Sequence, residues 1–228
     1  MKIIQENKLD NPVWNSLSET HGGFVLDYGN TKFYHPDYCP FGGFINSQST
    51  LEASNQYSVA TDNFFIVGEK PEISNSLKIV KELICLQMIV YNKIELSITE
   101  YIVKLTEEHN DKLVHLVNLV QPGYFKNKTA SLGNYYGIFK EDQLVAITGE
   151  RMKMNDFTEV SAIITHPDHI GKGYAKQLIA HCVNNIFSEN KIPYLHVVES
   201  NIGAIGLYEK LGFVTRRKMS FWNISKNQ

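Results

Sequence analysis

The stretch Gly171-Lys172-Gly173-Tyr174-Ala175 marks the place where a predicted strand passes into a predicted helix. Pro167 cannot continue a strand ladder, so the strand ends before it. Apolar residues with helical spacing begin at Ala175 and continue to Ile186. The two glycines allow a sharp turn and leave the backbone amides open to a ligand. With the free N–H groups and the positive dipole end of the helix, they predict an anion site, most naturally for a pyrophosphate.

Other phosphate-binding motifs fit this turn less well. The chain has no GxxxxGK[ST] sequence, so the turn is not a Walker loop. A dinucleotide fingerprint would place Gly or Ala where the chain has Lys176. Lys172 and Lys176 add positive charge beside the turn. The loop by itself also fits a glycine-containing turn that binds nothing, because short glycine motifs are weak evidence.

From about residue 101 the sequence alternates regularly between strand and helix patterns. The predicted strands are 101–105, 135–139, 144–151, 159–165, 194–198 and 218–224, and the predicted helices are 107–120, 172–187 and 201–211. Thr106 is the expected N-cap of the first helix. A strand meander followed by alternating helices and strands predicts an α/β fold with a mixed sheet.

The first hundred residues carry a weaker pattern. The predicted elements are a short helix from Val13, strands at 24–28 and 63–67, a helix at 76–83, and a strand or continued helix at 86–91. A rigid aromatic loop lies between them, and its rings either pack or line an acceptor pocket: Tyr34, Tyr38, Phe41 and Phe44. We therefore divide the chain into an N-terminal α/β region of unknown role, residues 1–98, and a second domain, residues 99–228.

The composition limits the classes of partner. The net charge of −2 gives no general basic field for nucleic acid or an anionic membrane. Three cysteines without a CxxC pair predict neither a disulfide framework nor a zinc site, and fit a reducing cytoplasm. The N-terminal residues do not resemble a signal peptide, and the most apolar stretch, residues 84–90, is too short to span a bilayer. His166 and His169 lack a third ligand nearby, so we expect no metal.

A second motif follows the glycine turn after one predicted strand. Asn201, Ala204 and Tyr208 lie along a short helix that Gly212-Phe213 terminates. The two motifs together resemble the GNAT superfamily of acetyl-CoA-dependent N-acyltransferases, whose signature is Q/R-x-x-G-x-G/A, a helix, a strand, and N-x-x-A-x-x-x-Y-x-x-x-G-F. Asp168 and Ile170 depart from the first part of that signature. The resemblance therefore implies a pyrophosphate site that depends on backbone amides and Lys172.

The resemblance implies a mostly antiparallel mixed sheet with a splayed strand pair and flanking helices. It also implies acetyl-CoA as co-substrate, with its pantetheine arm between residues 163–165 and 194–198. The amides of Ile164 and Thr165 would bond the arm and polarise the acetyl carbonyl. The residues expected to bind acetyl-CoA are Ile163, Ile164, Thr165, Gly171, Lys172, Gly173, Tyr174, Ala175, Asn201 and Ala204.

The implied reaction is attack of a neutral amine on a thioester, which needs a proton acceptor and a proton donor. Glu159 is the first candidate for the base, directly or through water, and Glu150 and His196 are its rivals. Each of the three also fits a structural role, as a paired carboxylate or a core histidine. Tyr208 is the expected acid for the departing CoA thiolate, although a tyrosine at this spacing also fits simple packing.

Parts of the N-terminal region also resemble a bacterial GNAT subgroup of uncharacterised, two-part proteins. These parts are Asn11-Pro-Val-Trp14 and Pro40-Phe-Gly-Gly43. His35-Pro36-Asp37 further echoes His166-Pro167-Asp168, so a duplicated and degenerate first half is a hypothesis.

The leading functional hypothesis is an N-acetyltransferase for a small-molecule primary amine, acting in a ternary complex. A protein N-acetyltransferase and a non-catalytic acyl-CoA sensor or interaction module are the alternatives. Exposed sheet edges are compatible with a homodimer, and we expect neither nucleic acid nor membrane as a partner.

Overall fold

The computed structural model describes residues 5–123 and 125–227. Within these ranges the strands are β1 (Val25–Asp27), β2 (Thr31–Tyr34), β3 (Phe41–Phe44), β4 (Asn63–Val67), β5 (Leu77–Ile89), β6 (Ile102–Leu105), β7 (Tyr135–Lys140), β8 (Gln143–Lys153), β9 (Phe157–Thr165), β10 (Ile192–Val198) and β11 (Val214–Lys226). The α-helices are α1 (Pro12–Ser18), α2 (Thr50–Ser58), α3 (Asn110–Val120), α4 (Tyr174–Ser188) and α5 (Ile202–Lys210).

The described strands form one sheet in the order β1-β2-β3-β4-β11-β5-β10-β9-β8-β7-β6. Its neighbours are antiparallel except for two parallel pairs, β3 with β4 and β9 with β10. A helix connects the strands of each parallel pair, α2 in the first and α4 in the second. The predicted mixed, mostly antiparallel α/β fold is therefore confirmed.

The same strand–helix–strand unit thus occurs once in each part of the chain, as a duplication would produce. The echo between His35 and His166 does not mark equivalent positions, however. His35 follows β2, whereas His166 follows β9 and leads to α4. The segment before α2 that corresponds to the glycine turn is residues 45–49, which contains no glycine. The duplication itself stays a hypothesis.

Two long strands at the centre join the two parts of the chain. β5 and β11 pair along almost their whole length, from Leu77 with Lys226 to Ile89 with Val214. β5 also pairs with β10 of the second part, and β11 also pairs with β4 of the first. The last strand of the first part, β5, therefore lies beside strands of the second part, and the last strand of the second part, β11, lies beside strands of the first. The described strands thus form one continuous sheet.

The prediction of a helix at residues 76–83 is wrong. The spacing of Leu77, Val80, Leu83 and Ile84 suggested a helical face, but these residues lie in β5. This part of β5 pairs with β11, and β10 joins the other side only from Cys85 onward. Such tertiary pairing overrides a weak local pattern. Val80 is 51% exposed, which shows that the apparent helical face was not a buried face.

The second part of the chain follows its predicted elements closely. α4 begins at Tyr174 instead of Lys172, because Gly171 and Gly173 both have left-handed backbone conformations with φ of 83° and 77°. The apolar face of α4 packs into the core with strand residues such as Val145 and Leu195. The predicted first helix begins with a 3-10 turn, and His109 completes a capping box with Thr106. In the described part of the chain, no helix combines the length and apolarity needed to cross a bilayer.

We predict opposite stability effects for two glycine substitutions. A Cβ on Gly42 would lie 2.3 Å from the ring of Phe33, which is fully buried and stacked on Tyr57 at 4.1 Å. Gly42→Ala should therefore lower the free energy of unfolding by about 1–3 kcal/mol, the usual effect of overpacking. Gly206→Ala is the control, because a Cβ in this helical position meets no atom within 4 Å.

Gly206→Ala should raise the free energy of unfolding by about 0.5–1 kcal/mol, since alanine favours a helix over glycine. Urea unfolding curves of both variants measure the two effects. A Gly42→Ala protein as stable as the parent would contradict the packing described here.

Candidate functional site

A cavity of about 840 Å³ opens between β9 and β10. The two parallel strands pair only between Phe157–Glu159 and Ile192–Tyr194. Beyond this point Ala162 has a left-handed conformation with φ of 50°, and the register between β8 and β9 shifts beside it. A bulge of this kind bends a strand and ends its regular pairing. The predicted splay between β9 and β10 is therefore present, and the cavity lies in it.

The end of β9 presents one open amide to this gap. His166 donates its N–H to the Val145 carbonyl at 2.8 Å, and Thr165 is the cross-strand partner of Ala146. Successive N–H groups of a strand point to opposite sides, so Thr165 directs its N–H away from β8 and into the gap. By the same alternation the N–H of Ile164 points to β8. Of the two amides predicted to act together, Thr165 is thus the one that faces the gap.

The glycine turn leads from the end of β9 to α4. Gly171 and Gly173 both adopt the left-handed backbone that side chains disfavour. Among the described residues, no side chain caps the N-terminus of α4, so its first N–H groups have no side-chain acceptor. Gly171, Gly173, Tyr174 and Ala175 line the cavity. The predicted anion-binding geometry of this turn is present at one end of the gap.

Only one of the two lysines predicted to add charge beside this turn lines the cavity. Lys176 lines the cavity, one helical position after Ala175. Lys172 does not line it, and its Nζ lies 3.3 Å from Nδ1 of His169. Asp168 points outward with 85% of its side chain exposed. Lys176 is therefore the better-placed basic side chain, and Asp168 lies outside the cavity, whereas a role of Lys172 in binding stays a prediction.

The second motif forms the opposite wall. Asn201 caps α5, since its Oδ1 accepts the N–H of Ala204 at 3.2 Å. Asn201, Ala204 and Tyr208 all line the cavity. Burial raises the pKa of Tyr208 to about 12, so its hydroxyl keeps its proton at neutral pH. No described residue forms a hydrogen bond with that hydroxyl.

Glu159 is buried and fully engaged by other side chains. Arg151 donates two hydrogen bonds to it, from Nε to Oε2 at 2.7 Å and from Nη2 to Oε1 at 2.8 Å. Nδ1 of His196 lies 2.8 Å from Oε1. Burial by itself would raise the pKa of Glu159, but the charge and hydrogen bonds of Arg151, with the bond to His196, hold it at about 2. Glu159 is thus a weakly basic carboxylate in a closed ion pair.

His196 is held in one tautomer by its two neighbours. Gln87 donates an N–H of Nε2 to Leu9, and its Oε1 accepts from Arg216, which fixes the orientation of the amide. The same Nε2 lies 3.1 Å from Nε2 of His196, so it can only donate there. The ring therefore accepts at Nε2 and donates from Nδ1 to Glu159. Both ring nitrogens of His196 are occupied.

The three candidate bases thus differ in position. His196 lines the cavity, whereas neither Glu159 nor Glu150 does. Glu150 accepts hydrogen bonds from Asn134 and from Lys153, the latter at 2.6 Å. The role of Glu159 as the base stays a prediction, and direct proton transfer to it would have to compete with the Arg151 and His196 hydrogen bonds.

The far end of the cavity is lined by the N-terminal region. Phe41 lines the cavity, whereas Tyr34, Tyr38 and Phe44 do not. The Tyr34 hydroxyl instead bonds to Ser16 at 2.8 Å. Sequence reasoning gave no role to the other residues of this end, which come from five separate segments: Cys39, Phe65, Leu83, Cys85, Arg151 and Phe221. Among the residues described, no cluster of His, Cys, Asp and Glu could hold a metal ion.

Comparisons with known proteins agree with this geometry. The sequence model of the family described as FR47-like protein matches residues 135–222. An acetyltransferase of the GNAT family from Novosphingobium aromaticivorans is 30% identical, with a TM-score of 0.88 over 96% of this chain and 99% of that chain. No curated protein matches the chain significantly.

Two more distant structures share the fold. A GCN5-related N-acetyltransferase from Kribbella flavida is 12% identical, with a TM-score of 0.61 over 100% of this chain and 97% of that chain. A tandem GNAT protein from the clavulanic acid biosynthesis pathway is 10% identical, with a TM-score of 0.57 over 83% of this chain and 76% of that chain. With the full-length similarity to the Novosphingobium protein, these findings show that the chain belongs to the GNAT family of acetyltransferases.

Proposed function

We propose that this protein transfers an acetyl group from acetyl-CoA to the primary amine of a small molecule, by direct attack in a ternary complex. The proposal rests on the gap between β9 and β10. A single gap between β9 and β10 holds an uncapped helix N-terminus with two left-handed glycines at one end and the protonated hydroxyl of Tyr208 on its wall. The GNAT family supports acyl transfer from acetyl-CoA in general.

The residues present fit acetyl-CoA. The open amides at the start of α4 and the Lys176 ammonium would hold its pyrophosphate, since both favour an anion at a helix N-terminus. The N–H of Thr165 would bond the extended pantetheine arm on the side of β9 where β10 no longer pairs with it. Asn201, on the facing wall, still has its side-chain N–H groups available while its Oδ1 caps α5. Acetyl-CoA would supply the thioester carbonyl that the amine attacks.

Tyr208 is the proposed acid of this reaction. The acceptor nitrogen forms a bond to the acetyl carbon, the carbon–sulfur bond breaks, and the leaving thiolate takes a proton from the Tyr208 hydroxyl. The nitrogen, which becomes positively charged on attack, releases one proton to water, and a proton from water restores the Tyr208 hydroxyl. Burial keeps the Tyr208 hydroxyl protonated, because its pKa is raised to about 12. Its proton has no competing acceptor among the described residues, so it is available to the sulfur.

The acceptor amine must lose its own proton before it attacks. The described residues that line the cavity include Arg151, Lys176, His169 and His196, and no Asp or Glu. Burial and nearby positive charge both lower the pKa of an ammonium group. We infer that the acceptor reacts as a neutral amine whose proton has gone to bulk water. Proton transfer to Glu159 is the competing hypothesis.

A first experiment separates an enzyme from an acyl-CoA sensor. Thermal melting with acetyl-CoA measures binding, and release of free thiol with a panel of primary amines measures turnover. Stabilisation with turnover of at least one amine supports the proposal. Stabilisation without turnover of any amine would favour the sensor, and no stabilisation would contradict both functions.

Tyr208→Phe should lower kcat about 100-fold, the usual effect of losing a general acid. The affinity for acetyl-CoA should stay within about twofold, because only the hydroxyl is removed and the buried ring remains beside Phe213. Steady-state kinetics and equilibrium binding measure the two quantities. Tyr101→Phe is the matched control, since Tyr101 is 85% exposed. Unchanged turnover of Tyr208→Phe would remove Tyr208 from the mechanism.

Gly173→Val should weaken acetyl-CoA binding by about tenfold or more, because a β-branched residue strains a left-handed turn and moves the amides of α4. Lys176→Ala should weaken it less, and Lys172→Ala least, since Lys172 does not line the cavity. Calorimetric titration with CoA gives the order of the three. A larger effect of Lys172→Ala than of Gly173→Val would show that the turn binds through its lysine side chain.

The pH dependence distinguishes the two routes for the amine proton. If the amine binds neutral, kcat/KM should rise about tenfold per pH unit below the pKa of each acceptor amine and level off above it. Acceptors of different basicity should shift this profile accordingly. If the bound ammonium instead gives its proton to Glu159, whose pKa is about 2, the profile should be flat near neutral pH for every acceptor.

A further inference from the structure

The acceptor end of the cavity combines apolar walls with one arginine. Its apolar lining comes mostly from the N-terminal region and the two central strands: Cys39, Phe41, Phe65, Leu83, Cys85 and Phe221. Burial raises the pKa of the Cys39 and Cys85 thiols to about 12, so both are uncharged. The guanidinium of Arg151 lies over the Phe41 ring at 4.6 Å and 19% of its side chain is exposed.

Arg151 keeps hydrogen-bond donors free for a ligand. A guanidinium has five N–H donors in a fixed planar fork. Glu159 takes one from Nε and one from Nη2, which leaves the edge formed by Nη1 and the second N–H of Nη2. No described residue accepts from Nη1. Polar donors left unpaired in an apolar site are costly, so this edge is suited to a ligand oxygen.

The orientation of Arg151 is fixed from behind. Glu159 is held by His196, whose ring is held by Gln87, and Gln87 in turn accepts from Arg216. Glu159 compensates the charge of Arg151 from outside the cavity lining, and it leaves the N–H donors of the other guanidinium edge free for a ligand. Such a chain of hydrogen bonds makes the free edge a rigid binding surface and not a mobile side chain.

The charges of the cavity select among acceptors. Its described lining carries basic groups at both ends, Lys176 at the glycine turn and Arg151 at the apolar end, and no carboxylate. An acceptor with a second ammonium group would find no carboxylate in the described lining to pair with. An acceptor with a carboxylate would meet the planar edge of Arg151, which matches both of its oxygens. The apolar rings beside Arg151 would contact an apolar side chain.

Resting on the acetyltransferase function proposed above, we propose that the acceptor is an amino carboxylic acid with an apolar side chain, whose carboxylate binds the free edge of Arg151. In this arrangement Glu159 and His196 are positioning residues that orient Arg151. The N-terminal region then supplies the walls that contact the side chain of the acceptor.

Matched acceptors test this with the unaltered protein. Leucine, leucinamide and isoamylamine form one series, and phenylalanine, phenylalaninamide and 2-phenylethylamine form another. With acetyl-CoA, and compared per neutral amine, each amino acid should give a kcat/KM at least about tenfold above its amide and its decarboxylated amine. Equal or better turnover of the amides or amines would overturn the carboxylate while leaving the acetyltransferase function in place.

A binding measurement covers the case in which no acceptor is acetylated. Calorimetric titration of leucine and phenylalanine into the protein with CoA detects the carboxylate site without turnover. Absence of binding in that case would overturn this proposal together with the proposed function. Binding of the amino acids, without binding of the amines, would support the Arg151 site and contradict only catalysis.

A variant pair assigns the effect to Arg151. Arg151→Lys keeps the charge beside Glu159 but loses the planar fork, so the preference for amino acid over amine should fall about tenfold, through KM more than kcat. Arg217→Lys is the matched control, because Arg217 does not line the cavity and its Nη1 bonds to Asp10 at the surface. Double replacement by Arg151→Met and Glu159→Gln avoids an unpaired buried charge and should abolish the preference. Retention of the preference in both Arg151 variants would exclude Arg151 as the carboxylate site.

Discussion

The interrupted pairing between β9 and β10 is the constraint on which the site depends. A complete parallel ladder would use the Thr165 N–H and close the gap between the strands. The left-handed residue Ala162 prevents this, because it turns β9 away from β10 after Glu159. β9 then continues directly into the glycine turn and α4. One strand therefore carries an open amide and leads to an uncapped helix N-terminus a few residues later, so that both polar features lie along the same gap.

The central strands β5 and β11 close the far end of this gap. β5 pairs with β10, and β11 pairs with β4, so the N-terminal region is bonded into the same sheet as the two family motifs. Phe65 of β4 and Leu83 and Cys85 of β5 thereby reach the cavity. Without this exchange of strands the gap would open to solvent at its far side. The position of the N-terminal region explains how a segment without either family motif comes to line the same cavity.

The buried ion pair of Arg151 and Glu159 next to the gap orients the guanidinium more than it stabilises the fold. Removing two charges from water is costly, and a buried ion pair often contributes little net stability. Burying Arg151 and Glu159 has that cost. What the pair provides is a guanidinium with one edge facing the cavity. The hydrogen bonds through His196 and Gln87 hold this edge in place. The same bonds occupy Glu159 and His196, two of the three groups that the sequence offered as bases.

The sequence by itself determined the glycine turn, the cap at Asn201 and the elements of the second part, because each depends on residues only a few positions apart. It also placed Tyr208 and the splayed strand pair through the family motif. Tertiary structure decided the rest. β5 is a strand because of β11, its partner more than a hundred residues later, and local spacing predicted a helix there. Lys176, and not Lys172, lines the cavity because the packing of α4 against the sheet sets which side of its first turn faces the gap. Arg151 and Phe41 meet only across strands from opposite parts of the chain. Backbone turns and caps are encoded by neighbours in sequence, whereas strand partners and ion pairs are set by residues that only folding brings together.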